Sequence, residues 1–448
     1  MSIAAGVSLR QNPLAQLAEA RANTDALFRI VHRKFLYDRP IPERHRIIFY
    51  IGHLEAFDWN LIARGLFGRE TFHAEFDKLF AFGIDPVNGG LPQDQPEDWP
   101  HMREVNGYRD RVRSIVDHCL AEKFVSSTRA LPLPSAEEID LRLHVAIEHR
   151  LMHAETLAYL LHRLPLERKF VQPAASSPSA PPVEPNMVEI PAGTASLGKP
   201  RSKRAGFGWD NEFEEQRVKV PAFRIDAYEV TNGQFLEFVR AGGYDDRSVW
   251  NDSDWEWKER AGIRHPSFWT PAGDSFLLRT MFAERRLMLN WPVYVSHAEA
   301  SAYARRAGKS LPTEAQWHRA AYGTPEGAER AYPWGEQSPN ALHGNFDFLR
   351  WDPAPVNAHP AGRSAFGVHD MIGNGWEWTS TVFGPLPGFE PFSFYRGYSA
   401  NFFDGRHFVM RGGASRTAAC MLRRTFRNWF QAHYPFIYAG FRCVENGK

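Results

Sequence analysis

Residues 135–164 contain neither Gly nor Pro, and the run ends at Pro165. Within it Leu143, Ile147, Leu151, Ala154, Ala158 and Leu161 recur at steps of three and four, which predicts a long helix with a buried apolar stripe. His149 and His153 are four residues apart on that helix, so their rings lie on one face about one turn apart. Two imidazoles in that relation suit a transition metal. Glu155 is the tempting third ligand, but at about 100° per residue it points roughly 160° away from His153. A third ligand must come from another part of the chain. The alternative is a pair of packed interior histidines.

The length of 448 residues allows about two or three domains. With 53 Lys and Arg against 52 Asp and Glu, nothing in the charge balance points to nucleic acid or an anionic membrane as partner. Cys119, Cys420 and Cys443 are too few and too scattered for a disulfide framework or a cysteine zinc site. No long apolar leader opens the chain, and no apolar run is long enough to span a bilayer, so a cytoplasmic protein is expected.

Residues 1–164 read as a four-helix bundle. Pro13 starts a first helix that is expected to reach about Lys34, and Pro42 or Glu43 a second, running to about Leu66. A third covers about Glu104 to Phe124, and Ser135 with Glu138 forms a capping box for the fourth. His53, mid-helix among apolar neighbours, is the best third ligand, because bundle cores host metals on facing helices. The alternative is a packed His53 bonded to Glu55 or Asp58. Residues 165–186 are rich in Pro, Ala and Ser and read as a linker. From residue 187 short apolar segments alternate with Gly, Pro and Asn turns, a loop-dominated α+β pattern with helices at about 231–242 and 296–308.

Several ordered motifs mark this second half. They are Val188–Gly193, Asp226-Ala-Tyr-Glu-Val-Thr-Asn232, Ser310-Leu-Pro-Thr-Glu-Ala-Gln-Trp317, Gly373-Asn-Gly-Trp-Glu-Trp-Thr379, Arg411-Gly-Gly413 and Gly440-Phe-Arg442. Together they resemble the formylglycine-generating-enzyme-like (sulfatase-modifying factor) domain, a variant of the C-type lectin fold. The first half resembles a DinB-like bundle. Its His149-x3-His153-x-Glu155, with an upstream Gly-His at His53, is similar to the iron signature of ergothioneine-type sulfoxide synthases. The implied fold is therefore α plus α+β: a bundle over 1–164, a linker over 165–186 and the second domain over 187–448.

The resemblance implies that His53, His149 and His153 bind one non-haem iron, Fe(2+), with Glu155 not a ligand. It implies an O2-dependent enzyme joining a chalcogen donor to C2 of the imidazole of hercynine, the trimethylated histidine. Three imidazoles leave about three open positions on such a metal. The family's active-site tyrosine falls in a segment where Tyr395 and Tyr398 both qualify; a phenol of pKa about 10 is a fair proton donor. Asn428 and Trp429 match the family residues beside the trimethylammonium group, where an aromatic face suits a cation without strong donors. A formylglycine-generating oxidase needs a second thiolate five residues from the first, and Cys420 has Ser415 and Thr425 at those distances. A non-catalytic ligand-binding protein is a further alternative.

Two departures bear on the donor. Sulfur-using members carry Asp after Arg-Asn-Trp and Arg four residues later, gripping γ-glutamylcysteine or cysteine; here those positions are Phe430 and Tyr434. An amino-acid donor would lose both charge partners, whereas aromatic faces suit a sugar ring. The expectation therefore leans to the selenoneine synthase branch, which uses a selenosugar, with ergothioneine synthase as the alternative. Asp370, Asn374 and Glu377 have the ligand type for a structural Ca(2+), with a hydrogen-bonded turn as the preferred reading.

Overall fold

In the computed structural model, residues 13–81, 91–122, 134–171, 180–202 and 205–446 are described. The chain divides into two compact units at residues 172–173.

The first unit is helical. Its helices are α1 (Pro13–Phe28), α2 (Ile47–Asp58), α3 (Ala74–Leu79), α4 (Met102–Glu122) and α5 (Ala136–His162). Helix α5 starts as its sequence predicts: the Glu138 amide donates to Ser135 Oγ and the Ser135 amide to the Glu138 carboxylate, each at 3.1 Å. The anticipated stripe is buried, but so are Glu148, Arg150, Glu155 and His162, so beyond its exposed first turns α5 is covered on almost its whole circumference. Helix α1 packs chiefly on α5, and α2 on α4.

The helix ends differ from expectation. Helix α1 stops at Phe28 rather than near Lys34, with only a 3-10 turn over Arg33–Phe35. Helix α2 begins at Ile47, not at Pro42, and continues as a π-helical segment, Trp59–Arg64. There the Gly65 amide reaches back five residues to Asn60 O, at 3.0 Å. The short α3 carried too little periodicity to be seen. The segment read as a linker from residue 165 stays with the bundle at first: Phe170 N donates to Ile30 O at 2.7 Å and His32 N to Arg168 O at 3.0 Å. Part of that linker reading, residues 172–179, lies outside the described residues.

The second unit contains β1 (Met187–Ile190), β2 (Gly193–Leu197), β3 (Gln216–Val220), β4 (Phe223–Asp226), α6 (Asn232–Arg240), α7 (Asp252–Ala261), β5 (Trp269–Ala272), β6 (Ser275–Arg279), β7 (Glu284–Arg286), α8 (His297–Arg306), α9 (Glu314–Tyr322), β8 (Trp376–Val382), β9 (His407–Arg411), β10 (Asn428–Gln431), β11 (Ala439–Gly440) and β12 (Val444–Asn446). Four small sheets have the orders β1-β4-β12, β10-β9-β8-β11, β2-β3 and β5-β6-β7. The first and last strands both pair with β4, which ties the two ends of the unit together. Helices α7 and α9 were not anticipated. Long stretches between α9 and β10 are irregular, as the turn-rich sequence predicts.

The sequence motifs of this unit make buried polar joints. Arg442 donates through Nε and Nη2 to the two oxygens of Glu377, at 2.6 and 2.7 Å, and Trp317 Nε1 donates to the same carboxylate at 2.9 Å. One ion pair thus joins α9, β8 and the chain after β11, inside a core of Ile190, Phe223, Ile225, Trp317, Met371 and Val444. Gly412 and Gly413 have φ of 98° and 135°, backbone that only glycine adopts without strain, so the Arg-Gly-Gly signature is a turn requirement.

Candidate metal centre

Among the described residues, one group of His, Cys, Asp or Glu has the geometry to hold a metal ion: His53, His149 and His153, whose ligand atoms all lie within 4.8 Å of one another. Glu155 is not part of it. All three rings are buried, at 6%, 4% and 6% exposure. The Nε2 atoms of His149 and His153 are 3.2 Å apart. Two nitrogens each about 2.1 Å from a shared metal, at angles near 90–109°, would be roughly 3.0–3.4 Å apart. The spacing fits ligation.

Each ring is oriented by neighbours. His53 Nδ1 bonds to Phe80 O at 2.7 Å. A carbonyl can only accept, so Nδ1 carries the hydrogen and Nε2 keeps its lone pair for a cation. The His53 ring lies flat on Phe49, 4.9 Å between centroids and 20° between planes; the His149 ring lies flat on Phe57, at 3.5 Å and 10°. Phe49 and Phe57 are the residues four before and four after His53, so one face of α2 supplies a ligand and two platforms. Burial lowers the His53 pKa to about 4, although the Phe80 bond raises it. Burial also pushes His149 and His153 well below the ordinary imidazole value, and the neighbouring histidines push the same way. The result is three neutral imidazoles, the protonation state in which they bind metals.

Sequence reasoning offered Glu55 or Asp58 as partners of a packed His53. The structure gives both carboxylates to Arg150 instead, at 3.0 and 2.6 Å. It also missed the Phe80 carbonyl, which belongs to the turn after α3 and carries no side-chain signal. The Phe49 and Phe57 platforms were legible in principle from their spacing about His53.

The other expected site residues lie in the second unit. Trp429 on β10 stacks on Phe383 (4.1 Å, 6°), and Tyr398 and Phe402 approach its ring to 5.4 and 5.6 Å. Tyr398 is buried and stacks on Trp209 at 3.9 Å; Tyr395 is half-buried and 5.6 Å from Tyr398. Asn428 Oδ1 accepts from the Trp429 amide at 2.8 Å. Phe430 and Tyr434 stack on each other at 5.3 Å and 15°. Of the three residues considered for a structural Ca(2+), Asp370 and Asn374 share a hydrogen-bonded turn, whereas Glu377 lies on β8 and makes its bonds elsewhere. Asn374 Nδ2 donates to Asp370 at 3.1 Å and to Ala354 O at 2.9 Å, and Glu377 takes Arg442 and Trp317. Cys420 is exposed, while Ser415 and Thr425 are buried.

A helical unit with a three-histidine group, followed by a C-terminal unit of small sheets, defines a two-module architecture that comparison with known proteins recognises. Residues 16–157 match the DinB superfamily. Residues 173–447 match the sulfatase-modifying factor enzyme 1-like domain. Hercynine oxygenase of Mycolicibacterium thermoresistibile is 37% identical over 377 residues, 81% of this chain and 82% of its own. Hercynine oxygenase of Mycobacterium tuberculosis is 41% identical over 52% of this chain and 55% of its own. Ergothioneine biosynthesis protein 1 of Schizosaccharomyces pombe is 26% identical over 93% of this chain and 54% of its own. The chain thus spans about half the length of the last two relatives and most of the first. It belongs to the ergothioneine-type sulfoxide synthase family. No helix among the described residues is long and apolar enough to cross a membrane.

Proposed function

We propose that this chain is a non-haem Fe(II), O2-dependent enzyme that joins a chalcogen donor to imidazole C2 of hercynine, and that its donor is a selenosugar, making it a selenoneine synthase. The observation that carries the enzymatic reading is the convergence of three buried, neutral imidazoles within 4.8 Å. Iron bound there would supply the activation of O2 and a common point for the reacting groups. His53, His149 and His153 hold it, with the Phe80 carbonyl fixing the His53 tautomer. Trp429 and Asn428 take the trimethylammonium end of hercynine, since an aromatic face attracts a cation that donates no strong hydrogen bond. Tyr395 and Tyr398 are the candidate proton donors, and the proposed compartment is the cytoplasm.

The donor reading rests on the stacked Phe430 and Tyr434 pair. It offers a sugar ring a flat apolar face and offers an amino-acid zwitterion no charge. The names of the relatives favour the second reading, an ergothioneine synthase using γ-glutamylcysteine or cysteine. The test is anaerobic Fe(II) reconstitution, then hercynine and O2 with each donor separately. Turnover with the selenosugar alone is the expected result, and turnover with the thiols alone overturns the donor assignment. His153→Ala is expected to abolish both iron uptake and turnover; no iron uptake by the wild type, with no loss on His153→Ala, would return the chain to a ligand-binding role.

A further inference from the structure

The three ring nitrogens come from two helices, and only part of their geometry is set locally. His149 and His153 keep a one-turn spacing because the α5 hydrogen-bond ladder imposes it. His53 sits on α2, and among the described residues no backbone hydrogen bond joins α2 to α5. Arg150 spans the gap. It is fully buried; its Nη1 donates to Glu55 Oε1 at 3.0 Å, and its Nη2 to Asp58 Oδ2 at 2.6 Å and to Leu54 O at 2.9 Å. Leu54 and Glu55 directly follow His53, and Arg150 directly follows His149. The fork therefore ties together the residues beside the ligands on both helices.

A second arginine provides a contrast. Arg113, on α4, donates to the same Glu55 Oε1 at 2.7 and 3.1 Å and to Asp25 of α1 at 2.8 Å through both terminal nitrogens. It stabilises the bundle from the outer side and makes no bond to α5.

We propose that Arg150 is a positioning residue for the metal centre: its three-acceptor fork across Leu54, Glu55 and Asp58 sets the distance from His53 to His149 and His153. The planar guanidinium is suited to this, because its donors leave in fixed directions, whereas a lysine ammonium is a single point on a flexible stem. The inference rests on the reading that the three histidines hold a transition metal.

The test is anaerobic titration of the full-length protein with Co(II) and Fe(II), together with the visible spectrum of the Co(II) form. Arg150→Lys and Asp58→Asn are expected to weaken metal affinity by about 10- to 100-fold, the usual effect of losing a group that orients ligands, and to shift the Co(II) bands. Ser135→Ala, which removes the α5 cap far from the histidines and from Glu55, is expected to lower the melting temperature while leaving affinity and spectrum as in the wild type. A folded Arg150→Lys with wild-type affinity and spectrum overturns the proposal, as does an equal loss in Ser135→Ala, which would mark a general stability effect. If Arg150→Lys does not fold, Asp58→Asn, which keeps the bonds to Glu55 and Leu54, decides by the same two readouts. A wild type that takes up no metal refutes the metal reading and the clamp with it. Wild-type uptake with unaffected variants refutes the clamp alone.

Discussion

Gly52 stands next to His53, and a side chain there has nowhere to go. A Cβ would lie 2.4–2.5 Å from three atoms of the Phe80 ring, which is itself fully buried. Replacing a mid-helix glycine by alanine ordinarily stabilises by about 1 kcal/mol. Here overpacking should win, costing about 1–3 kcal/mol, and the displaced Phe80 should carry away the carbonyl that holds His53. Gly52→Ala is expected to lower stability in chemical denaturation and to weaken Co(II) binding; a gain in stability would refute the steric argument. Asp210 gives a pH test. Burial raises its pKa to about 6, although the Ser399 hydroxyl that donates to it pulls the other way. The folded state therefore binds this proton more tightly than the unfolded chain does. The stability from Asp210 is complete below about pH 4 and is lost as pH rises through 6. Asn at this position does not titrate. The stability advantage of wild type over Asp210→Asn should shrink by about 1–3 kcal/mol between pH 4.5 and 7.5, measured by denaturation at both values. An advantage that does not change with pH would count against the shift.

Among the elements, α5 shows how far local chemistry reaches. Ser135 and Glu138 satisfy otherwise orphaned amides at its start. Ser135→Ala should cost about 1 kcal/mol in unfolding free energy, with metal affinity unchanged, since the cap lies more than three turns from His149. The cap, the apolar steps and the His149–His153 spacing were all legible because each depends on residues within four of one another. The ends of α1 and α2 were not. Contacts outside each helix bear on them: bonds between 168–170 and 30–32 hold the chain after α1, and the Ile47 and Ile48 amides that open α2 donate to Asp38 O and Leu36 O. The β-strands of the second unit were harder still, because strands of two to five residues, as all but β8 are, carry little periodicity of their own.

On the scale of the whole molecule, Phe49, Phe57 and the Phe80 carbonyl, which lie against the histidine rings, and Arg150, the proposed positioning residue, all belong to the helical unit. A fragment ending near residue 172 is expected to bind Co(II) with an affinity within a few-fold of the full chain and to form no product from hercynine. Loss of metal binding in a folded fragment would show that the second unit helps to build the site. The motifs of that unit were visible as family marks, and the structure supplies their physical reason: Arg442, Glu377 and Trp317 meet in one buried joint.

Read alone, the sequence determined the two-module order, the long capped helix and the pairing of His149 with His153, because helical geometry follows from local spacing. It could nominate His53 but not bring it into place. That step, the flat aromatic supports, the Phe80 carbonyl and the Arg150 fork were decided only by tertiary packing. They join residues far apart in the chain, and burial then removes the water that would otherwise compete for every one of those bonds.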